Sequence, residues 1–222
     1  MASLSTTEFY DKLRTEVVLP RTSQPSPGDF RRQFEFLLSH HAALVYLGVA
    51  RAVSGTIQSA ETAASRGHPE RTHVFDTANA AGGQALLTIA AAEAAMRGED
   101  VPTILAMLDI LRAKTFTWAV TGDVSHAVRG GRIPAWAKPL VQGLGFTPVA
   151  KVTPAGKLGV AGGLFGKKRV PERFANYVAK RVDHAVEWRL IVGHCDAVSE
   201  GQRLLDTLVV QLRCRDAWLV ET

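Results

Sequence analysis

Cysteine is scarce. Cys195 and Cys214 are the two thiols of a 222-residue chain, too few for a disulfide framework, and neither stands in a CxxC or Cys/His cluster. They read as reduced thiols in the core. Long apolar runs are missing too: nothing approaches the ~18 to 20 residues that span a bilayer. The opening MASLSTTEFYDKL has neither a basic flank nor an apolar signal core. The expectation is a cytoplasmic protein without integral membrane association. The seven histidines stand adjacent or far apart, with no spacing that suits a tetrahedral site, so no metal is expected. No Walker, GxGxxG or GxSxG pattern occurs, so nucleotide binding and serine-nucleophile chemistry lack their equipment, and no cofactor is expected. GGLFGKK is a poor phosphate loop, since it lies among hairpin signals and no Ser or Thr follows its lysines.

What is present is an ordinary globular composition, 46% hydrophobic and 21% charged, with a formal net charge of +5. The charge is lopsided: residues 1 to 110 hold 9 basic against 12 acidic groups, and residues 111 to 222 hold 17 against 9. The basic second half carries no run longer than Lys167, Lys168, Arg169 and no interleaved aromatics, so nucleic acid is not an expected partner. It reads as a solvated face, with a docking surface for an acidic partner or phosphate as the alternative.

Along the chain, Ser5 and Glu8 have capping-box spacing ahead of Phe9, Leu13 and Val17, which predicts a first helix stopped at Pro20. Ser26, Pro27 and Asp29 open a second helix, running to about His40. Ala42 to Ala50 is a continuous apolar run of strand length, followed by an alanine-rich helix from Thr56. Thr72 to Gly83 repeats the pattern, with a strand ending in Asp76, Thr77 and Asn79 and a helix running to Met96. Another helix ends near Lys114, and Phe116 to Asp123 reads as a third strand. Alternation of this kind predicts βαβ crossovers and a parallel sheet through about residue 123. Beyond it, two short helices divided by Gly130 and Gly131, a hairpin turning at Pro154 to Gly156, then helix, strand, helix (capped by Ser199 with Gln202) and strand suggest an α+β unit. The expected domains are therefore an α/β lobe over 1–124 and an α+β lobe over 125–222.

In an open α/β sheet ligands bind beyond the carboxyl ends of the strands, where helix N-termini leave unpaired N–H groups. Ser54, Gly55 and Thr56 stand at such a place: glycine admits close backbone approach, and the hydroxyls can donate to an oxyanion. The plainer alternative is that Ser54 merely caps its helix. TSQPS, Thr22 to Ser26, is a second hydroxyl cluster, stiffened by Pro25 and Pro27, with a turn and helix cap as its alternative. Neither cluster contains a histidine or carboxylate that could act as a base.

The TSQPS loop, the SGT-x-QSA turn of Ser54 to Ala60, a strand ending at Asp76 and a later GGRI (Gly130 to Ile133) together resemble the DegV family. The resemblance implies a bacterial, two-lobed α/β protein of DegV-like fold that encloses one long-chain fatty acid between its lobes. It implies that Thr22 and Ser54, with Gly55 and Thr56, hold the carboxylate. Ser23, Ser26 and Asp76 would lie about the pocket, and Arg132 near its mouth, where a fatty acid kinase subunit docks. It implies no catalysis by this chain: the acyl carboxylate is presented to a separate ATP-dependent kinase.

Two features of the family pattern are missing. Members usually begin with a strand bearing an aspartate-serine motif, ahead of the EFY segment, and usually end with a His-x-Gly-Pro-Gly motif whose histidine helps hold the carboxylate. Neither is present here, and His194 in VGHCD reads as structural rather than as a replacement. The competing functions are an enzyme acting on a phosphorylated small molecule, for which no general base is evident, and a truncated interaction or regulatory module without ligand.

Overall fold

The computed structural model describes residues 4–15, 22–121, 128, 131, 146–166 and 168–222. In chain order these form α1 (Thr6–Thr15), α2 (Pro27–Leu38), β1 (Leu44–Gly48), α3 (Thr56–Arg66), β2 (Thr72–Asp76), α4 (Ala81–Met96), α5 (Val101–Ala113) and β3 (Trp118–Val120). Then follow β4 (Phe146–Val152), β5 (Leu158–Phe165), α6 (Val170–Ala179), β6 (Trp188–His194), α7 (Val198–Gln211) and β7 (Cys214–Glu221). Pro20 and the two short helices expected around Gly130 and Gly131 fall largely outside the described residues. Among the described residues no helix is long and apolar enough to cross a membrane.

The chain separates into two compact units that interleave along the sequence: Gln24–Val120 with Pro148–Gly162, and Met1–Ser23 with Thr121–Thr147 and Gly163–Thr222. The first of these is built on β1 and β2, which pair in parallel from Leu44 opposite Thr72 to Gly48 opposite Asp76. Because strand side chains alternate, Leu44 and Tyr46 face a cluster with Phe34, Ala60, Ala63 and Ala64 from α2 and α3. Val45 and Leu47 face the opposite cluster, with Leu87, Ala91 and Ala94 of α4 and Ile104 and Leu108 of α5. Burial on both faces explains why this strand is an apolar run rather than an alternating one. Arg71 ties the strand to the preceding helix, donating to the carbonyls of Leu38, His41 and Ala42.

The third strand departs from the expected pattern. β3 pairs antiparallel with β4, Trp118 opposite Lys151, in a sheet ordered β3-β4-β5. Two successive helices, α4 and α5, intervene before it, so it is not the return of a single crossover. Its partner comes instead from the hairpin, whose turn is closed by Thr153 N–H to Lys157 O and Gly156 N–H to Thr153 O, both 2.8 Å. In the other unit, β6 and β7 pair in parallel through α7, adding a crossover to the hairpin pattern of the second half. α7 lies on both strands and against α6, around buried Phe174, Val178, Val192, Leu208 and Leu212.

Two local expectations are corrected. Ser199 does not cap α7: the cap position is Ala197, and no side chain closes that turn. Cys195 is exposed rather than in the core, because it falls in the loop after β6, while Cys214 is partly buried and both are free. Burial raises the Cys214 thiol above its usual value.

α2 shows a complete capping box. Ser26 Oγ accepts from the Asp29 N–H at 3.2 Å and Asp29 Oδ2 accepts from the Ser26 N–H at 2.9 Å. The Ser26 hydroxyl and N–H hold the Asp29 carboxyl below its ordinary range, with Arg32 assisting. A depressed carboxylate pKa contributes stability that is present above the unfolded value and lost as pH falls through the folded one. Ser26→Ala removes this cap and should lower the urea midpoint at neutral pH. The difference from wild type should shrink as acid protonates Asp29, a trend that urea titrations between neutral and strongly acidic pH would reveal.

Candidate functional site

The site starts where β1 ends. After Gly48 the chain turns, with Val53 and Ser54 N–H groups donating to Ala50 O at 3.0 and 3.2 Å, and delivers Ser54, Gly55 and Thr56 to the head of α3. The Ser54 and Thr56 hydroxyls lie 2.7 Å apart, and the Thr56 N–H donates to Ser54 Oγ at 3.3 Å. The helix cap position is Gly55, which has no side chain to cap with, and the Ser54 hydroxyl accepts from the first amide of the helix, that of Thr56. Ser54 is therefore not the N-cap residue: from one position before the cap its hydroxyl meets both the amide and the hydroxyl of Thr56, while the helix terminus keeps its partial positive charge. Ile57 beneath is 0% exposed. Its Cγ1 would lie 2.9 Å from any Cβ at residue 48, so glycine there lets α3 settle on the end of β1.

Within the TSQPS loop the roles divide. Thr22 and Ser23 are exposed and group with the unit containing α1, whereas Gln24 to Ser26 group with the unit containing Ser54. Ser26 spends its hydroxyl on the α2 capping box. Gln24 lies against Gly55 and donates from Nε2 to Ser59 Oγ at 3.2 Å.

Asp76, at the end of β2, is likewise engaged by its own loop. Its Oδ1 accepts from the Ala78 N–H at 2.8 Å, and its Oδ2 lies 3.8 Å from Arg51 Nε. Arg51 also pairs with Glu61 of α3, which raises the guanidinium pKa further. Below the loop Thr77 and Asn79 are buried at 0% and 4% exposure. Thr77 Oγ1 donates to Gly48 O at 2.7 Å, Asn79 Oδ1 accepts from Thr117 Oγ1 at 2.6 Å, and Asn79 O accepts from the Ala50 N–H at 2.7 Å. These bonds satisfy the polar groups that burial would otherwise penalise. They also join the two strand-end loops, in and beside which Ala78 and Ala81 lie at φ 48° and 47°, in the left-handed region that costs a non-glycine residue free energy.

Arg132 and most of the GGRI motif lie outside the described residues; Gly131 is at φ 73°. His194 ends β6, half-buried, with its carbonyl accepting from the Thr222 N–H at 2.9 Å. With Asp196, Val198 and Glu221 it lines a cleft of about 360 Å³. Among the described residues no three His, Cys, Asp or Glu side chains are grouped to hold a metal ion. Reading the sequence did not single out Gln24, Arg51 or Glu61. Small Gly55 and Ser59, one helical turn apart, were the available signal for Gln24.

Parallel strands between helical layers, with a pair of hydroxyls where β1 ends, define an α/β protein of the open-sheet kind. The chain belongs to the DegV family, whose model, described as "Uncharacterised protein, DegV family", matches residues 1–217. It is 27% identical over 211 residues to the DegV domain-containing protein CPE0026 of Clostridium perfringens, covering 93% of this chain and 72% of that protein. It is also similar to a solved fatty-acid-binding DegV family protein of Thermus thermophilus, 29% identical with TM-score 0.83, over 98% of this chain and 78% of that one. The fold is shared with the fatty acid kinase B3 protein of Streptococcus pneumoniae, solved loaded with linoleic acid: 20% identical, TM-score 0.81, over 100% of this chain and 78% of that one.

Proposed function

We propose that this chain binds one long-chain fatty acid, holds its carboxylate with Thr22, Ser54, Thr56 and the amides at Gly55, and presents it in the cytoplasm to a separate kinase. The observation that carries this reading is the 2.7 Å hydroxyl pair of Ser54 and Thr56 at a helix start whose cap residue is glycine, in a fold common to fatty-acid-binding relatives. The division of labour follows from the ligand. Each buried CH₂ gains ~0.8 kcal/mol, so a long tail gains more than about 10 kcal/mol gross before the entropy of capture. A desolvated carboxylate left unpaired costs several kcal/mol, so the head needs only a few well-placed donors. Hydroxyls and amides meet that need without a histidine or carboxylate, so the role is that of a carrier rather than a catalyst. Arg132 and the basic second half are assigned to kinase docking.

Native mass spectrometry of gently purified protein tests the proposal. The expected result is a population carrying one acid of roughly sixteen to eighteen carbons, as tail burial favours long chains. An empty chain that also fails to take up added palmitate would favour a ligand-free interaction module.

A further inference from the structure

Gly55 and Ser59 are separated by one helical turn, the Ser59 N–H donating to Gly55 O at 3.1 Å, so they lie one above the other on the same face of α3. Both are small, and the Gln24 carboxamide lies in the groove they leave. Its Nε2 donates to Ser59 Oγ at 3.2 Å, and Ser59 is 3% exposed. Any Cβ at residue 55 would come within 2.7 Å of Gln24 Cδ. We infer that Gln24 is a positioning residue, which anchors the hydroxyl loop to the helix bearing Ser54 and Thr56, and that residue 55 is glycine to admit it. This rests on the fatty-acid reading. Ser26 fixes the other side of the loop to α2, and Pro25 restricts the backbone of Gln24. Two residues of chain reach at most about 7 Å, so an anchored Gln24 confines Thr22 and Ser23. The neutral amide also adds no negative charge beside Gly55, where the fatty-acid reading seats a carboxylate.

The test titrates wild type, Gln24→Ala and Gln24→Glu with palmitate and with hexadecan-1-ol, and follows amide exchange at Ser23, Gln24 and Ser26. Gln24 is exposed, so both variants should fold. Gln24→Ala should weaken palmitate about tenfold and speed exchange in the loop. Gln24→Glu can still accept from the Ser59 hydroxyl, so it should retain loop protection and hexadecan-1-ol binding while losing palmitate affinity. Equal losses for acid and alcohol in Gln24→Glu, or wild-type palmitate affinity in Gln24→Ala, would overturn the inference and leave the fatty-acid reading standing. A wild type that takes up no palmitate would remove that reading and the inference with it.

Discussion

Replacing Thr22 and Ser54 together by alanine should weaken palmitate binding by about a hundredfold or more, because a hydrogen bond to a charged group is worth roughly 1.5 to 3 kcal/mol. Hexadecan-1-ol, with the same tail and a neutral head, should lose far less. Each single change should lose part of the effect, and the two should not add independently if both hydroxyls meet the same carboxylate. Isothermal titration of both ligands against wild type, the single variants and the double variant gives the comparison. Equal losses for acid and alcohol would show that the hydroxyls shape the cavity without recognising charge, and would end the carboxylate assignment. Thr56 gives a further test: its hydroxyl is 2.7 Å from Ser54 Oγ and is proposed to meet the same carboxylate, so Thr56→Val should weaken the acid selectively.

Ile57→Ala should be the most damaging single change to stability near the site. The side chain is 0% exposed, and it fills the place against Gly48 where α3 meets β1. Truncation removes its transfer free energy and leaves a cavity, together about 2 to 5 kcal/mol. The unit has little room to collapse there, since the loops above Gly48 are held by Thr77, Asn79 and Thr117. Urea unfolding should show the loss as a shifted midpoint with an unchanged slope. Added palmitate should recover part of it by mass action if the ligand binds the folded state alone. Thr77→Val is the informative companion, because it keeps the volume and removes the bond to Gly48 O.

Much of this was legible in residue order. Ser26, Pro27 and Asp29 predict the start of α2, and the capping box is formed. The apolar run before Ser54 predicts a strand covered on both faces, and Leu44 to Gly48 is one. Periodicity and capping are local, so a single sequence displays them. β3 was misread because strand character says nothing about a partner: Trp118 to Val120 pairs with residues 149 to 151, contributed by a later hairpin. For Ser54 residue order left two readings open, donor or cap, and the turn from Ala50 to Ser54 places the cap one residue on, at Gly55, with the Ser54 hydroxyl against the amide and hydroxyl of Thr56.

The sequence alone determined the kind of most elements and placed the two hydroxyl clusters beside helix starts, since these follow from side-chain chemistry within a few residues. Tertiary structure decided what those groups touch. Ser26 and Asp76 are hydrogen-bonded within their own loops, and Gln24 reaches a helix begun some thirty positions later. Such assignments depend on distances between segments remote in the chain, and remote distances are set by packing of the whole unit rather than by any local preference.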